Sequence, residues 1–161
     1  MFRSFFLMLV SLTLFTSCAK QSADKTPFAS FVRSTAQKKI DVLVGGKPFQ
    51  IELAKSTQEQ RIGLSKFNEL APDAGMLFIY EMPIHHRFWM KGMHFPIDIL
   101  WISGNTIVEI TSDVPMAEAH LPLSQLKQYS STDAVDFVLE LNAGTTQKMG
   151  IRIGDTLSII N

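Results

Sequence analysis

Apolar and polar residues alternate over several short stretches of this chain, the pattern of strands half buried on a sheet. Ile40, Val42 and Val44 fall on one side of such a stretch, and Phe49, Ile51 and Leu53 on one side of the next. Gly45-Gly46 between them supplies a two-residue turn, so the two form a predicted hairpin. Met76 to Tyr80 (MLFIY) is instead continuously apolar between Gly75 and Pro83, which predicts a central strand covered on both faces. Further strands are predicted at Arg87 to Lys91, Ile97 to Ile102 and Thr106 to Thr111, the last two joined by a turn at Ser103-Gly104-Asn105. Phe137, Leu139 and Leu141 form the apolar face of another strand, and Thr156 to Ile160 is the last.

Two short helices interrupt this run. Ser56 and Glu59 form the S-x-x-E start signature, predicting a helix over Gln58 to Leu64 that Gly63 terminates. Ala143 to Met149 predicts a second, stopped at Gly150. Ser112 to Ser131 carries two prolines and no sustained period, and reads as a long loop with one helical turn at most. The fold class is therefore α+β: mostly antiparallel β, a curled sheet or small barrel, with two short helices. One globular β-rich domain is expected over residues 40–161.

The amino terminus has a different character. Arg3 precedes an eleven-residue apolar run, Phe5 to Phe15, then Thr16-Ser17 and the single cysteine, Cys18. That is too short to span a bilayer and has the charge, core and small-residue exit of a secretory signal. With cysteine directly after the cleavage point it resembles a bacterial lipoprotein signal, so residues 1–17 are expected to be removed and Cys18 lipidated. Residues 18–39 then read as the lipidated cysteine and a flexible tether. Ala19 lacks the Asp that favours inner-membrane retention, which points to a protein of the cell envelope, lipid-anchored in the outer membrane and facing the periplasm. The membrane is thus the first expected partner.

Composition narrows the chemistry. The chain has 15 basic and 15 acidic residues, alternating along its length, so nothing tracks a phosphate backbone and no nucleic-acid partner is expected. A lone cysteine excludes an intrachain disulfide. Zinc-helix, phosphate-loop and nucleophile-elbow motifs are absent from the sequence, and no cofactor is expected.

Several landmarks occur together: Ile51-Glu52-Leu53-Ala54, Gly63-Leu64, Gly75-Met76-Leu77-Phe78, Phe88-Trp89-Met90-Lys91, Pro96-Ile97-Asp98, Val138 to Gly144 and Gly154-Asp155. In this order and spacing, over about Ile40 to Ile160, the chain resembles the family called domain of unknown function 192. Gly92-Met93 stands where that family usually has Asn-Thr, and Ser65 where Met is usual. The resemblance implies a compact, mostly β domain, commonly exported, with no established reaction.

Three constellations could carry chemistry. A strand over Arg87 to Lys91 places Arg87, Trp89 and Lys91 on one face, a cationic-aromatic surface suited to a sugar or an anionic headgroup. Asp98, sharing a face with Leu100 and Ile102, is expected to be half buried and paired with Lys91 or Arg87. These residues with Asn142 define the leading expectation: a ligand-binding groove of Arg87, Trp89, Lys91, Asp98 and Asn142 taking a small molecule or envelope partner, without a catalytic residue. Glu140, with Asp136, Val138 and Asn142, reads as a solvated strand face. A first alternative is an envelope hydrolase using Asp98 and Glu140 as paired carboxylates. A second is a periplasmic copper-binding protein, because all four histidines and Met82, Met90, Met93 and Met116 lie between Met82 and His120.

Overall fold

A computed structural model of the chain describes residues 28–118 and 120–160. Cys18, the signal segment and the first part of the expected tether lie outside the described residues. Seven strands form one curled sheet: β1 (Lys39–Val44), β2 (Lys47–Ala54), β3 (Ala74–Ile84), β4 (Ile97–Ser103), β5 (Thr106–Val114), β6 (Val135–Asn142) and β7 (Leu157–Ile159), in the order β5-β4-β6-β3-β2-β1-β7. The fold is mostly β, with a few short helices. All pairings are antiparallel except β2 with β3, whose parallel connection carries helix α2 (Thr57–Ile62). The two edge strands approach each other where the sheet curls: Thr106 bridges Thr156, Ile107 donates to the Asp155 carbonyl at 2.9 Å, and Leu157 donates to that of Asn105 at 2.8 Å.

Local chemistry accounts for the elements. Gly45 and Gly46 both adopt positive φ (+56° and +77°), the geometry of the tight hairpin turn joining β1 to β2. Ser56 and Glu59 form a complete capping box at the start of α2, and Gly63 ends that helix before a 3-10 turn over Gly63–Lys66. β3 is central, between β2 and β6, as its unbroken apolar run predicts. At Gly75 a Cβ would come within 2.6 Å of Leu141 Cδ2 and 2.7 Å of the Glu140 carbonyl, so only glycine permits this approach of β3 to β6.

The start of the domain differs from the sequence reading. Phe28–Ser34 forms a helix, α1, inside the segment expected to be flexible. Phe28 and Val32, four residues apart, lie on one helix face and enter the core, with the Phe28 ring edge-on to Phe137 at 5.8 Å. Arg33 locks α1 in place through a 2.9 Å ion pair to Asp136 and a 3.1 Å hydrogen bond to the Tyr80 carbonyl. The domain therefore begins near residue 28. Two buried residues on a seven-residue helix are too few for a periodic signal, which is why the polar composition around them suggests a tether. The second predicted helix is present as α3 (Thr145–Met149), making three α-helices with α1 and α2 among the described residues.

Each face of the sheet has its own apolar cluster. The inner face, wrapped by the curl, holds Val42, Ile51, Leu77, Leu100, Phe137 and Leu139 with α1 against them. The outer face holds Met76, Phe78, Ile97, Ile99, Trp101 and Val138. No sheet or long helix among the described residues covers it; Phe67, Phe88, Met90 and Tyr129 descend onto it from irregular chain, and Leu64 from the 3-10 turn after α2. The outer face is thus roofed by loops, the part of a fold best able to carry a site.

Candidate functional site

The roof over the outer face is organised around Phe88. Its backbone exchanges hydrogen bonds with Tyr129 at 2.8 and 2.9 Å, and its ring wedges edge-on between Phe78 (5.0 Å) and Trp101 (5.6 Å). Phe78 and Trp101 flank Val138 across three paired strands, so Phe88 sits over Val138. Met90 is also buried, and the residues between and beside these anchors, Arg87, Trp89 and Lys91, point outward. The expected strand over Arg87 to Lys91 is therefore a single antiparallel bridge, after which Lys91-Gly92 turns the chain with Gly92 at φ +71°. The alternation holds without the strand because two large apolar side chains pin every second residue.

Trp89 is 44% exposed, unlike Trp101, which is fully buried with its indole N–H on Thr111 Oγ1 at 2.9 Å. Lys127 Nζ lies 4.9 Å from the Tyr129 ring centroid. Arg87 and Lys91 pair with no acid among the described residues. The outward-pointing residues of this segment are thus an indole with a cation two positions away on either side.

Asp98 is not part of that surface, and its expected ion pair with Lys91 or Arg87 is not formed. It is fully buried at the start of β4 on the inner face, where its carboxylate accepts from the backbone N–H groups of Asp113 (2.9 Å), Gly144 (3.1 Å) and Thr146 (2.9 Å) and from the Thr146 hydroxyl (2.7 Å). Four donors replace a cation as its charge partner. Asp98 ties β4 to β5 and to the start of α3, a structural role. Asn142 is structural as well, since its Nδ2 donates to the Leu70 and Ala71 carbonyls, both at 3.0 Å, and so holds down the loop before β3.

Glu140 departs furthest from expectation. It lies on the outer face, registered between Met76 of β3 and Ile99 of β4, and is 6% exposed rather than solvated. Its Oε2 is buried without a hydrogen-bond partner, and burial pushes its pKa up to about 8. Asp98 and Glu140 point to opposite sides of the sheet, so they bracket no common cleft and the paired-carboxylate arrangement is not formed.

Tyr80 and His86 complete the outer-face polar groups. Their rings stack at 3.3 Å between centroids and 19° between planes. Burial raises the Tyr80 hydroxyl well above its ordinary pKa, and the charge of Glu140 raises it further. His86 is buried, which lowers its pKa; a backbone hydrogen bond at Val135 opposes the shift, and Nε2 has no partner. His85, by contrast, is exposed, with Nδ1 3.4 Å from the Ser131 carbonyl. Of the methionines in the Met/His-rich stretch, Met82 and Met116 are exposed, whereas Met90 is in the core. Among the described residues no three of His, Cys, Asp and Glu converge as a metal site.

Comparison with known proteins agrees with this architecture. Residues 40–159 match the DUF192 family, described as Uncharacterized ACR. A solved structure from Sinorhizobium meliloti 1021, carrying a provisional description as a transcription regulator, shares 32% identity over 75% of this chain and 92% of its own, with a TM-score of 0.64. A protein of unknown function from Novosphingobium aromaticivorans DSM 12444 shares 26% identity over 74% of this chain and 84% of its own, with a TM-score of 0.66. No curated protein matches.

Proposed function

The chain belongs to the DUF192 family, whose description assigns no reaction, and we propose that it is an envelope lipoprotein, anchored through Cys18, that binds a small anionic ligand on the Arg87, Trp89 and Lys91 surface. The observation that carries this reading is the pinning of Phe88 and Met90 into the core, which holds the half-exposed Trp89 between unpaired cations. An indole supplies a flat apolar platform and flanking cations orient a phosphate or carboxylate, a combination suited to an anionic sugar. Asp98 and Asn142 support the scaffold beneath rather than touch the ligand. Only residues 19–27 separate Cys18 from α1. Fully extended they reach about 30 Å, so an acylated Cys18 keeps the domain beside the bilayer. The regulator description belongs to the Sinorhizobium protein; the balanced charge of this chain gives no basis for carrying it over.

Tryptophan fluorescence provides the test, because Trp101 is buried and Trp89 is the exposed reporter. Titrating the mature protein with glucose 6-phosphate should give saturable, salt-sensitive quenching that Trp89→Ala removes and Lys91→Ala weakens. Absence of quenching in a folded protein rejects the binding surface. Labelling with radioactive palmitate that leaves no counts on the protein, or equal counts on Cys18→Ser, rejects the anchor.

A further inference from the structure

β7 covers only part of the edge that β1 offers it. Val42, Leu43 and Val44 pair with Ile159, Ser158 and Leu157, whereas Lys39, Ile40 and Asp41 continue past the end of β7. There the Asp41 carbonyl accepts from the Ile160 N–H at 2.9 Å. A cavity of about 290 Å³ lies in this notch, lined by Lys39, Asp41, Ile159 and Ile160, by Phe31 of α1 and by Gln37 of the turn that follows it. That volume is at the small end of ligand sites, so the occupant it suits is compact.

The charges at the notch define its chemistry. Lys39 and Asp41 are two positions apart on an extended strand, so both leave the face opposite Ile40, from Cα atoms about 6.5 Å apart. Both are exposed, and neither forms an ion pair with the other or with any described group. A cation and an anion, both unpaired at one cavity, complement a ligand that carries both signs. Phe31, Ile159 and Ile160, none of them fully buried, add apolar surface beside the charges. We infer that the notch binds a phosphoethanolamine group, its phosphate on Lys39 and its primary ammonium on Asp41. The two-carbon bridge between those charges suits side chains set this far apart better than the single carbon of an α-amino acid. Position points to a lipid headgroup as the source, because α1 forms one wall and only residues 19–27 separate it from Cys18. That source rests on the anchor proposed above, whereas the chemistry of the notch does not.

Calorimetric titration of the mature protein with glycerophosphoethanolamine tests the notch. Saturable binding is expected, and glycerophosphocholine, whose quaternary nitrogen has no N–H for Asp41, should bind about tenfold more weakly. Lys39→Ala and Asp41→Asn, both at exposed positions and checked for folding by thermal unfolding, should each weaken the ethanolamine ester about tenfold. Asp41→Asn should also erase its advantage over the choline ester. Trp89→Ala should leave this binding unchanged, which separates the notch from the exposed indole surface. Co-sedimentation of the mature chain carrying Cys18→Ser, which has no acyl chain of its own, identifies the source. Phosphatidylcholine vesicles containing an equal share of phosphatidylethanolamine should retain it, and vesicles of phosphatidylcholine alone should not. Binding of the soluble ester without retention on either vesicle overturns the lipid source and assigns the notch to the free ester. Equal affinity for the two esters, full affinity in folded Lys39→Ala and Asp41→Asn, or no binding of the ethanolamine ester overturns the inference. Absence of palmitate label with ester binding intact rejects the anchor alone.

Discussion

Asp98 and Glu140 are two buried carboxylates on neighbouring strands, and their surroundings differ completely. Asp98, on the inner face, receives four hydrogen bonds from groups that themselves need an acceptor. Glu140, on the outer face, lies between Met76 and Ile99 with a buried oxygen unpartnered. The first carboxylate is what the fold requires; the second is one the fold tolerates at a cost to stability. A buried ionisable group that holds no part of the fold together is the more informative marker of function, because packing alone would favour an apolar residue in its place.

Removing either acid should expose that difference. The largest effect is expected for Asp98→Ala, which strands three backbone N–H groups and a hydroxyl. A loss of about 3–5 kcal/mol in denaturant unfolding is expected, and a loss under about 1 kcal/mol would erase the contrast.

Glu140→Gln should act in the opposite direction and depend on pH. The folded-state pKa of about 8 lies above the ordinary 4.5, so between these values the folded protein holds a proton that the unfolded chain has released. The contribution from this group is fully present below about pH 4.5 and is lost as pH rises through about 8. Glu140→Gln removes that dependence, and should be roughly 5 kcal/mol more stable than the parent above about pH 8 and indistinguishable near about pH 4. Parallel stability curves for the two proteins across that range would show that Glu140 is not held protonated.

Thr146→Val sharpens the Asp98 side of the comparison. It deletes one of four donors and keeps the shape, so a loss of about 1–2 kcal/mol is expected from thermal or denaturant unfolding. The smallest effect on folding is expected at the exposed surface. Trp89→Ala should change stability by no more than about 0.5 kcal/mol, while abolishing the quenching by sugar phosphate. A large destabilisation there would mean that Trp89 serves packing rather than recognition.

The two carboxylates also show where sequence reasoning succeeds. Alternation on β4 correctly puts Asp98 with Leu100 and Ile102, and alternation on β6 puts Glu140 opposite Leu139 and Leu141. Period two is a local property, set by successive side chains leaving a strand in opposite directions. Whether a face then meets solvent depends on what the rest of the chain lays over it. Local pattern offers Asp98 a cation because its true partners are backbone N–H groups at Asp113, Gly144 and Thr146, which a sequence does not display. It leaves Glu140 in solvent because the roof comes from Phe88, Met90 and Tyr129, remote in sequence and irregular in conformation.

What the chain determined by itself was the family, the hairpin at Gly45-Gly46, the capping box at Ser56, the central position of β3 and the outward alternation of Arg87, Trp89 and Lys91. Each rests on interactions within a few residues, or on an apolar pattern that only burial can satisfy. Tertiary structure decided that α1 belongs to the domain, that Asp98 is held by backbone donors, and that Glu140 and His86 each stay buried with a side-chain atom unpartnered. Those outcomes depend on pairings between distant segments, whose free energies are set by desolvation and by which groups arrive opposite one another.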